Sequence, residues 1–171
     1  MRIIFVALLA LSPLFAISEK TETMKADFIQ TIVNDKKGTI TYKGTMSAKR
    51  PSMAIWHYKE PIDKTVYITA ENITVVEPEL EQAIVRKLDD TIDILAILAS
   101  AKKTGKGNYT AYYRSKEYNI TMQQDMIKAI SFTDAFDNIV TIKFSHQQIN
   151  KMISDSDFDA DIPADFDIIR D

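Results

Sequence analysis

The chain contains no cysteine, which excludes two features at once. No disulfide can stabilise the fold, and no thiol is available for a covalent lipid anchor. The second point separates this chain from proteins that are held to a membrane through an acylated cysteine.

Residues that commonly carry chemistry are also scarce. His57 and His146 are the only histidines, and the chain has only four glycines. Glycine-rich phosphate loops and the H-E-x-x-H and G-x-S-x-G motifs of enzymes are absent from the sequence. We therefore predict that the protein is not an enzyme and needs no cofactor.

Alternating aspartates between Asp155 and Asp161 have the spacing of a calcium-binding loop. A loop of the EF-hand type that begins at Asp155 requires Gly at its sixth position and Glu at its twelfth. The chain has Ala160 and Phe166 at these positions. The pattern favours a short strand with Phe158 facing inward and the aspartates facing water, so we predict no metal site.

A basic excess and long hydrophobic runs are missing as well. The net charge is −3, and a nucleic-acid partner would require a basic stripe. Arg2 is followed by an apolar run over residues 3–11 and a cleavage-like Ala16, which is the order of a secretory signal peptide. The run is shorter than the roughly 20 residues that cross a bilayer. We expect residues 1–16 to be removed and residues 17–171 to form one exported domain, with an uncleaved N-terminal anchor as the alternative.

Most of the remaining chain alternates between apolar and polar residues, which is typical of strands with one buried face. In residues 39–48, Ile40, Tyr42 and Met46 share one face, while threonines and a lysine share the other. Short strands joined by short turns predict an antiparallel sheet. Strands are expected at residues 24–33, 39–48, 53–59, 65–70, 73–76, 82–87, 108–114, 118–123, 127–133 and 139–145, with a last one near Phe158.

Only residues 90–103 are predicted to form a helix. Asp90 or Thr91 is the expected N-cap, and Gly105 follows the last turn. Apolar residues cover most of its circumference, so the helix should be buried on most sides or lie against a hydrophobic ligand.

The predicted sheet has far more apolar surface than this helix can cover. A helix about 10 Å across covers about two strands spaced by about 4.8 Å. The sheet must therefore close on its own side chains, split into a sandwich, or leave an apolar cavity.

Arg50 stands out because it precedes Pro51. The proline restricts Arg50 to an extended backbone and lacks the N–H group that would continue a central ladder. The guanidinium is thus held at a strand end, where its five donors suit free carbonyl groups such as those at a helix C-terminus. A solvated surface arginine is the alternative interpretation.

Several motifs occur in a fixed order along the chain. They are Phe28-Ile29-Gln30, Lys49-Arg50-Pro51, Trp56-His57-Tyr58 with Glu60-Pro61, and Glu77-Pro78 leading to Gln82-Ala83. In this order the sequence resembles the outer-membrane lipoprotein carrier family, LolA. The likeness covers residues 24–83, weakens through the predicted helix and returns at residues 158–163.

The resemblance implies an incomplete, strongly curved antiparallel β-barrel with a helical lid over an apolar cavity. It implies a monomeric periplasmic chaperone that receives acylated lipoproteins from the inner-membrane lipoprotein-releasing ABC transporter and carries them to the outer membrane, where a receptor is a possible acceptor. In the family the arginine of the R-P motif is associated with lid closure, so Arg50 is the expected lid latch. An alternative is a periplasmic lipid-binding or sensor module with the same half-barrel fold, and a purely structural β-domain is a third.

The expected cavity lining combines the apolar strand face with the helix. Trp56 would offer broad contact to methylene chains, although ordinary half-buried sheet aromatics are the alternative. Family members carry a helix before the F-x-Q strand, but only residues 17–23 remain here, so that part of the lid is expected to be short or missing. The predicted acyl-chain cavity is lined by Ile40, Tyr42, Met46, Trp56, Ile94, Ile97 and Leu98.

Overall fold

The computed structural model describes residues 21–87 and 92–170, which form twelve strands and one α-helix. The predicted signal peptide, residues 1–16, lies outside the described residues. The elements are β1 Thr23–Val33, β2 Thr39–Lys49, β3 Met53–Glu60, β4 Lys64–Ile68, β5 Asn72–Glu77, β6 Gln82–Lys87, α1 Ile94–Ala99, β7 Lys102–Gly105, β8 Asn108–Tyr113, β9 Lys116–Gln123, β10 Met126–Thr133, β11 Ile139–Ile149 and β12 Asp167–Arg170.

All twelve strands belong to one open, curved sheet. Two antiparallel meanders, β1–β6 and β7–β11, join where β1 pairs with β11. β12 is added at one edge, parallel to β6, and β7 forms the other edge. The predicted fold, a mainly antiparallel half-barrel, is confirmed, because the two edge strands are not paired with each other.

Strand register places the core on one side of the sheet, which we call the inner face. Phe28 of β1 lies between Gly44 of β2 and Phe144 of β11, and Met46 of β2 lies beside Trp56 of β3. Alternate residues between these positions form the outer face. The predicted alternation of β2 is therefore correct, since Met46 is only 2% exposed.

The helix is shorter than the sequence predicts. Asp93 caps α1, because its carboxylate accepts hydrogen bonds from the Ala96 N–H at 2.9 Å and the Ser52 hydroxyl at 2.8 Å. The expected caps, Asp90 and Thr91, lie outside the described residues. Residues 102–105 form β7 and pair with β8. Backbone hydrogen bonds to a neighbouring strand thus replace the expected last turn of the helix.

The helical lid implied by the family resemblance is not confirmed, and α1 is the one α-helix within residues 21–87 and 92–170. α1 contacts β2 and β8 on the inner face and buries Ile94, Leu95, Ile97 and Leu98. No helix in the described part of the chain is long and apolar enough to cross a bilayer.

The prediction of a strand near Phe158 is wrong. Residues Asp155–Phe158 form a 3₁₀ turn in which the Asp157 N–H donates to the Ser154 carbonyl. Serine and aspartate favour such turns over strands. Phe158 is nevertheless buried, and Asp155 forms an ion pair with Lys49 at 2.6 Å.

Candidate functional site

A cavity of about 170 Å³ lies on the inner face beside the start of α1. Most of its wall is apolar, and only Gln30, Trp56 and Tyr58 contribute polar side-chain atoms. The lining residues are Gln30, Trp56, Tyr58, Val66, Ile68, Ile92 and Ile142. An apolar cavity of about 150 Å³ holds one benzene molecule, so in this state the space admits only a short hydrocarbon segment.

Aromatic rings pack edge to face at one wall of the cavity. The Phe28 ring centroid is 5.0 Å from that of Trp56 and 5.1 Å from that of Tyr58. The Tyr42 centroid is 5.6 Å from that of Tyr58. Such edge-to-face pairs are favoured by the aromatic quadrupoles, so the contacts between these rings stabilise this wall of the cavity.

Tyr58 also organises the polar part of this wall. Its hydroxyl donates a hydrogen bond to the Gln30 Oε1 at 2.9 Å. Burial, and secondarily the neighbouring Tyr42, raises the pKa of Tyr58 to about 12. The phenol therefore stays protonated, and keeps its hydrogen bond to Gln30, well above neutral pH.

The inner face becomes more exposed toward the β1–β2 turn. Going from Phe28 past Gln30 along β1, the partners on β2 are Gly44, Tyr42 and then Ile40. Phe28 is buried, Tyr42 is partly buried, and Ile40 is 52% exposed. We call this end the mouth of the cavity.

The opposite end is closed by α1 and Arg50. The Arg50 Nε donates to the Thr21 carbonyl oxygen at 2.8 Å, and its Nη2 donates to the Leu95 carbonyl oxygen at 3.3 Å. Arg50 thus ties α1 to the segment that precedes β1. The carbonyl that it reaches belongs to the first turn of the helix rather than to its C-terminal end.

The structure spreads the predicted cavity residues over three places. Met46 and Trp56 are buried in the centre of the inner face, whereas Tyr42 and Ile40 lie toward the mouth. The α1 residues Ile94, Ile97 and Leu98 have buried side chains. Only Trp56 of this set lines the present cavity.

Several lining residues were missed by the sequence analysis. Val66, Ile68 and Ile142 had a usable signal, because each lies at an inward position of an alternating strand. Gln30 belongs to the F-x-Q motif, but its polar character gave no reason to place it in an apolar wall. Ile92 belongs to the predicted helix of residues 90–103 but precedes α1 in the structure, so helical periodicity gave no reason to place it in the cavity wall.

The inner face offers no catalytic pair among the described residues. His57 alternates with Trp56 and Tyr58, so it lies on the outer face, where it pairs with Asp63 at 3.2 Å. His146 is exposed and pairs with Asp27 at 2.7 Å. No described cluster of His, Asp or Glu has the arrangement of a metal site. What the site provides is apolar contact and a few hydrogen-bond donors.

Comparison with known families gives one clear match. The family model described as outer membrane lipoprotein carrier protein LolA matches residues 19–120. The outer-membrane lipoprotein carrier protein of Campylobacter jejuni is 34% identical over 157 residues, which cover 92% of either chain. The protein of the same name from Helicobacter hepaticus is 34% identical over 85% of this chain and 82% of its own.

Solved structures share the fold at low sequence identity. An uncharacterized conserved protein from Thermus thermophilus aligns with a TM-score of 0.55 at 10% identity, over 89% of this chain and 92% of its own. A LolA superfamily protein from Nitrosomonas europaea aligns with a TM-score of 0.54 at 10% identity, over 82% of this chain and 91% of its own.

Proposed function

Because this chain belongs to the outer membrane lipoprotein carrier family, LolA, we propose that it is a periplasmic chaperone that binds the acyl chains of lipoproteins and carries them from the inner to the outer membrane. The observation that carries the proposal is the apolar cavity between the aromatic wall and one short buried helix. The protein acts by binding, without catalysis.

In this proposal α1 occupies the space that acyl chains take in the loaded form. The present cavity of about 170 Å³ is too small for a whole chain, so α1 must move away from the inner face. A helix of six residues is not stable by itself in water. Its apolar residues, Ile94, Ile97 and Leu98, therefore exchange contacts with β2 and β8 for contacts with the lipid.

A second space lies next to the main cavity and supports this route of opening. It measures about 20 Å³ and is lined by residues from the end of β2, the start of β3 and the start of α1. Ile68 and Ile92 line both spaces. Displacement of Ile92 together with α1 would join the two spaces into one longer channel.

Release of the cargo requires an interaction that opposes complete burial of its acyl chains. Each buried methylene contributes about 0.8 kcal/mol, so a chain of about 15 methylenes gains about 12 kcal/mol. Two or three such chains would exceed the roughly 18 to 21 kcal/mol of the tightest non-covalent complexes. The Arg50 bonds to α1 and Thr21 stabilise the closed, empty form, so they favour release.

The proposal places the protein in the periplasm after removal of residues 1–16. Its partners would be acylated lipoproteins, the inner-membrane ABC transporter that releases them, and an acceptor at the outer membrane. A periplasmic lipid-binding or sensor module is the alternative, and a lipid found in the purified protein in place of lipoprotein would favour it.

Site-specific photo-crosslinking in cells tests the binding surface. A crosslinking residue at position 42 or 97 should capture lipoprotein, because Tyr42 lies on the inner face and Ile97 is on the buried side of α1. Position 43 is the matched control, because Lys43 lies on the outer face and pairs with Glu60. Equal capture at the three positions would contradict the proposed surface.

A further inference from the structure

Lys64 occupies an unusual position at the mouth of the cavity. It is the cross-strand partner of Tyr58 and shares its inner face. Its ammonium lies 4.9 Å from the centroid of the Tyr58 ring and 5.4 Å from that of Tyr42. A cation at this distance from an aromatic face is attracted by the ring quadrupole, so the two tyrosines hold Lys64 beside the opening.

No carboxylate in the described part of the chain neutralises this charge. Lys43, by contrast, pairs on the outer face with Glu60 at 2.8 Å. Lys64 is partly buried and its ammonium lies against the two rings, without an ion-pair or hydrogen-bond partner within residues 21–87 and 92–170. Its three N–H donors are therefore available to a ligand that enters the mouth.

Two further donors belong to Tyr42, whose ring Lys64 contacts, and to its cross-strand partner Gln30. The hydroxyl of Tyr42 forms no hydrogen bond with any residue that the structure describes. The bond from Tyr58 occupies the carbonyl oxygen of Gln30 and leaves the amide N–H groups of Gln30 free to donate. The mouth thus combines an ammonium, a hydroxyl and an amide above an apolar cavity.

From this arrangement we infer that Lys64, with Tyr42 and Gln30, is a head-group subsite that binds the ester carbonyl oxygens of an acylated lipid. Ester carbonyls accept hydrogen bonds and donate none, which matches a rim of donors, and the attached hydrocarbon matches the apolar wall behind them. The inference rests on the proposed function and adds an orientation to it. The acyl chains point toward Trp56 and α1, while the head group and the attached protein remain at the β1–β2 turn.

Trp56 provides the measurement, because it is the only tryptophan of the chain and lines the cavity. Two synthetic lipopeptides with brominated chains of equal length are titrated, one with ester-linked chains and one with ether-linked chains. Quenching of Trp56 fluorescence by bromine reports binding. The wild type should bind the ester form about tenfold more tightly, as one charge-assisted hydrogen bond predicts.

Variants assign this preference to the subsite. Lys64→Met should lose most of the preference for the ester form. Lys43→Met removes an equal charge from the outer face and should keep the ester preference. Tyr42→Phe removes a single hydroxyl and should lose part of the preference, and thermal unfolding checks that each variant is folded.

The outcomes separate the subsite from the proposed function. Equal binding of the two lipopeptides by the wild type overturns the subsite and leaves the proposed function intact. An equal loss of affinity for both lipopeptides in Lys64→Met also overturns the subsite, because Lys64 would then shape the cavity without binding the ester carbonyl oxygens. No quenching of the wild type by either lipopeptide overturns the proposed function itself.

Discussion

Arg50 is the residue on which we propose that closure of the cavity depends. Its side chain bonds to carbonyl oxygens of Thr21 and Leu95, and its backbone N–H donates to the Glu22 carbonyl at 2.9 Å. Of these three bonds, the one from Nη2 to the Leu95 carbonyl oxygen reaches α1, so a substitution can release the helix without breaking the backbone connection to Glu22.

We predict that Arg50→Leu loads lipoprotein but transfers it poorly. Leucine removes the donors that favour the closed form and keeps apolar surface, so the loaded complex should accumulate in the periplasm. The measurement is the amount of lipoprotein that copurifies with each variant. Lys49→Leu is the control, since Lys49 contacts Asp155 and the Ile153 carbonyl rather than α1. If Arg50→Leu transfers lipoprotein at the wild-type rate, or fails to load it, the latch hypothesis is wrong.

Gly44 is a position at which the sheet leaves no room for a side chain. A Cβ atom there would lie 2.0 Å from the His57 carbonyl oxygen and 3.0 Å from the Phe28 Cε1. The pairing of β2 with β3 shifts register next to Gly44, which brings the two backbones close together behind the aromatic wall.

Gly44→Ala should therefore lower the free energy of unfolding by at least about 2 kcal/mol, because the contacted carbonyl belongs to a central strand and cannot move cheaply. Gly105→Ala is the matched control. A Cβ at Gly105 would lie 3.7 Å from the Asn108 side chain, an ordinary contact. This control should be neutral or stabilising by about 0.5 kcal/mol. Urea unfolding measures both, and equal effects would refute the steric explanation.

At the scale of elements, α1 is held by its cap and its buried face. The Asp93 carboxylate uses one oxygen for the Ala96 N–H and the other for the Ser52 hydroxyl. The cap thus fixes the start of α1 and also links it to the β2–β3 turn, on the side where Arg50 lies.

Removal of this cap should loosen α1 without disrupting the sheet. Asp93→Ala is expected to reduce stability by about 1 kcal/mol, and Ser52→Ala by less, since the cap bond to Ala96 remains. The double variant should lose little more than Asp93→Ala alone, because both bonds use the same carboxylate. Urea unfolding of the three variants gives the coupling energy, and strictly additive losses would show that Ser52 acts independently of Asp93.

For the whole molecule, the open sheet raises the question of what covers its edges. The β6 edge is covered by β12, which pairs in parallel from Asp167 with Gln82 to Arg170 with Val85. An uncovered edge presents free N–H and C=O groups that pair with other chains. β12 is now the edge strand and has only four residues, and a very short edge strand offers few groups for such pairing, so we expect β12 to limit association between copies of the protein.

Deletion of residues 167–171 should leave a folded protein that self-associates. The core on the inner face includes no residue of β12, so we expect a loss of monomer in light scattering with little change in the unfolding transition. Ile168→Ser is the control, because it lowers the exposed apolar area and keeps the backbone ladder. If the shortened protein stays monomeric at concentrations where the wild type does, β12 has no such protective role.

The sequence alone determined the features that depend on local alternation and on motifs. The strands over residues 24–33, 39–48 and 53–59 and the inward direction of Met46 and Trp56 followed from a period of two, which the pleat of a strand imposes on its own residues. The ordered motifs pointed to the LolA family, which the family match confirmed.

Tertiary structure decided what depends on partners distant in the chain. Asp93 caps α1 with help from Ser52, and β12 pairs with β6, across separations that no local pattern reports. Phe158 is buried from a turn rather than a strand, because its segment bonds to its own backbone. Lys64 became a candidate ligand-binding residue only because the sheet places it over rings from two neighbouring strands. Alternation fixes the face on which a side chain lies, whereas strand register and sheet curvature fix what it touches.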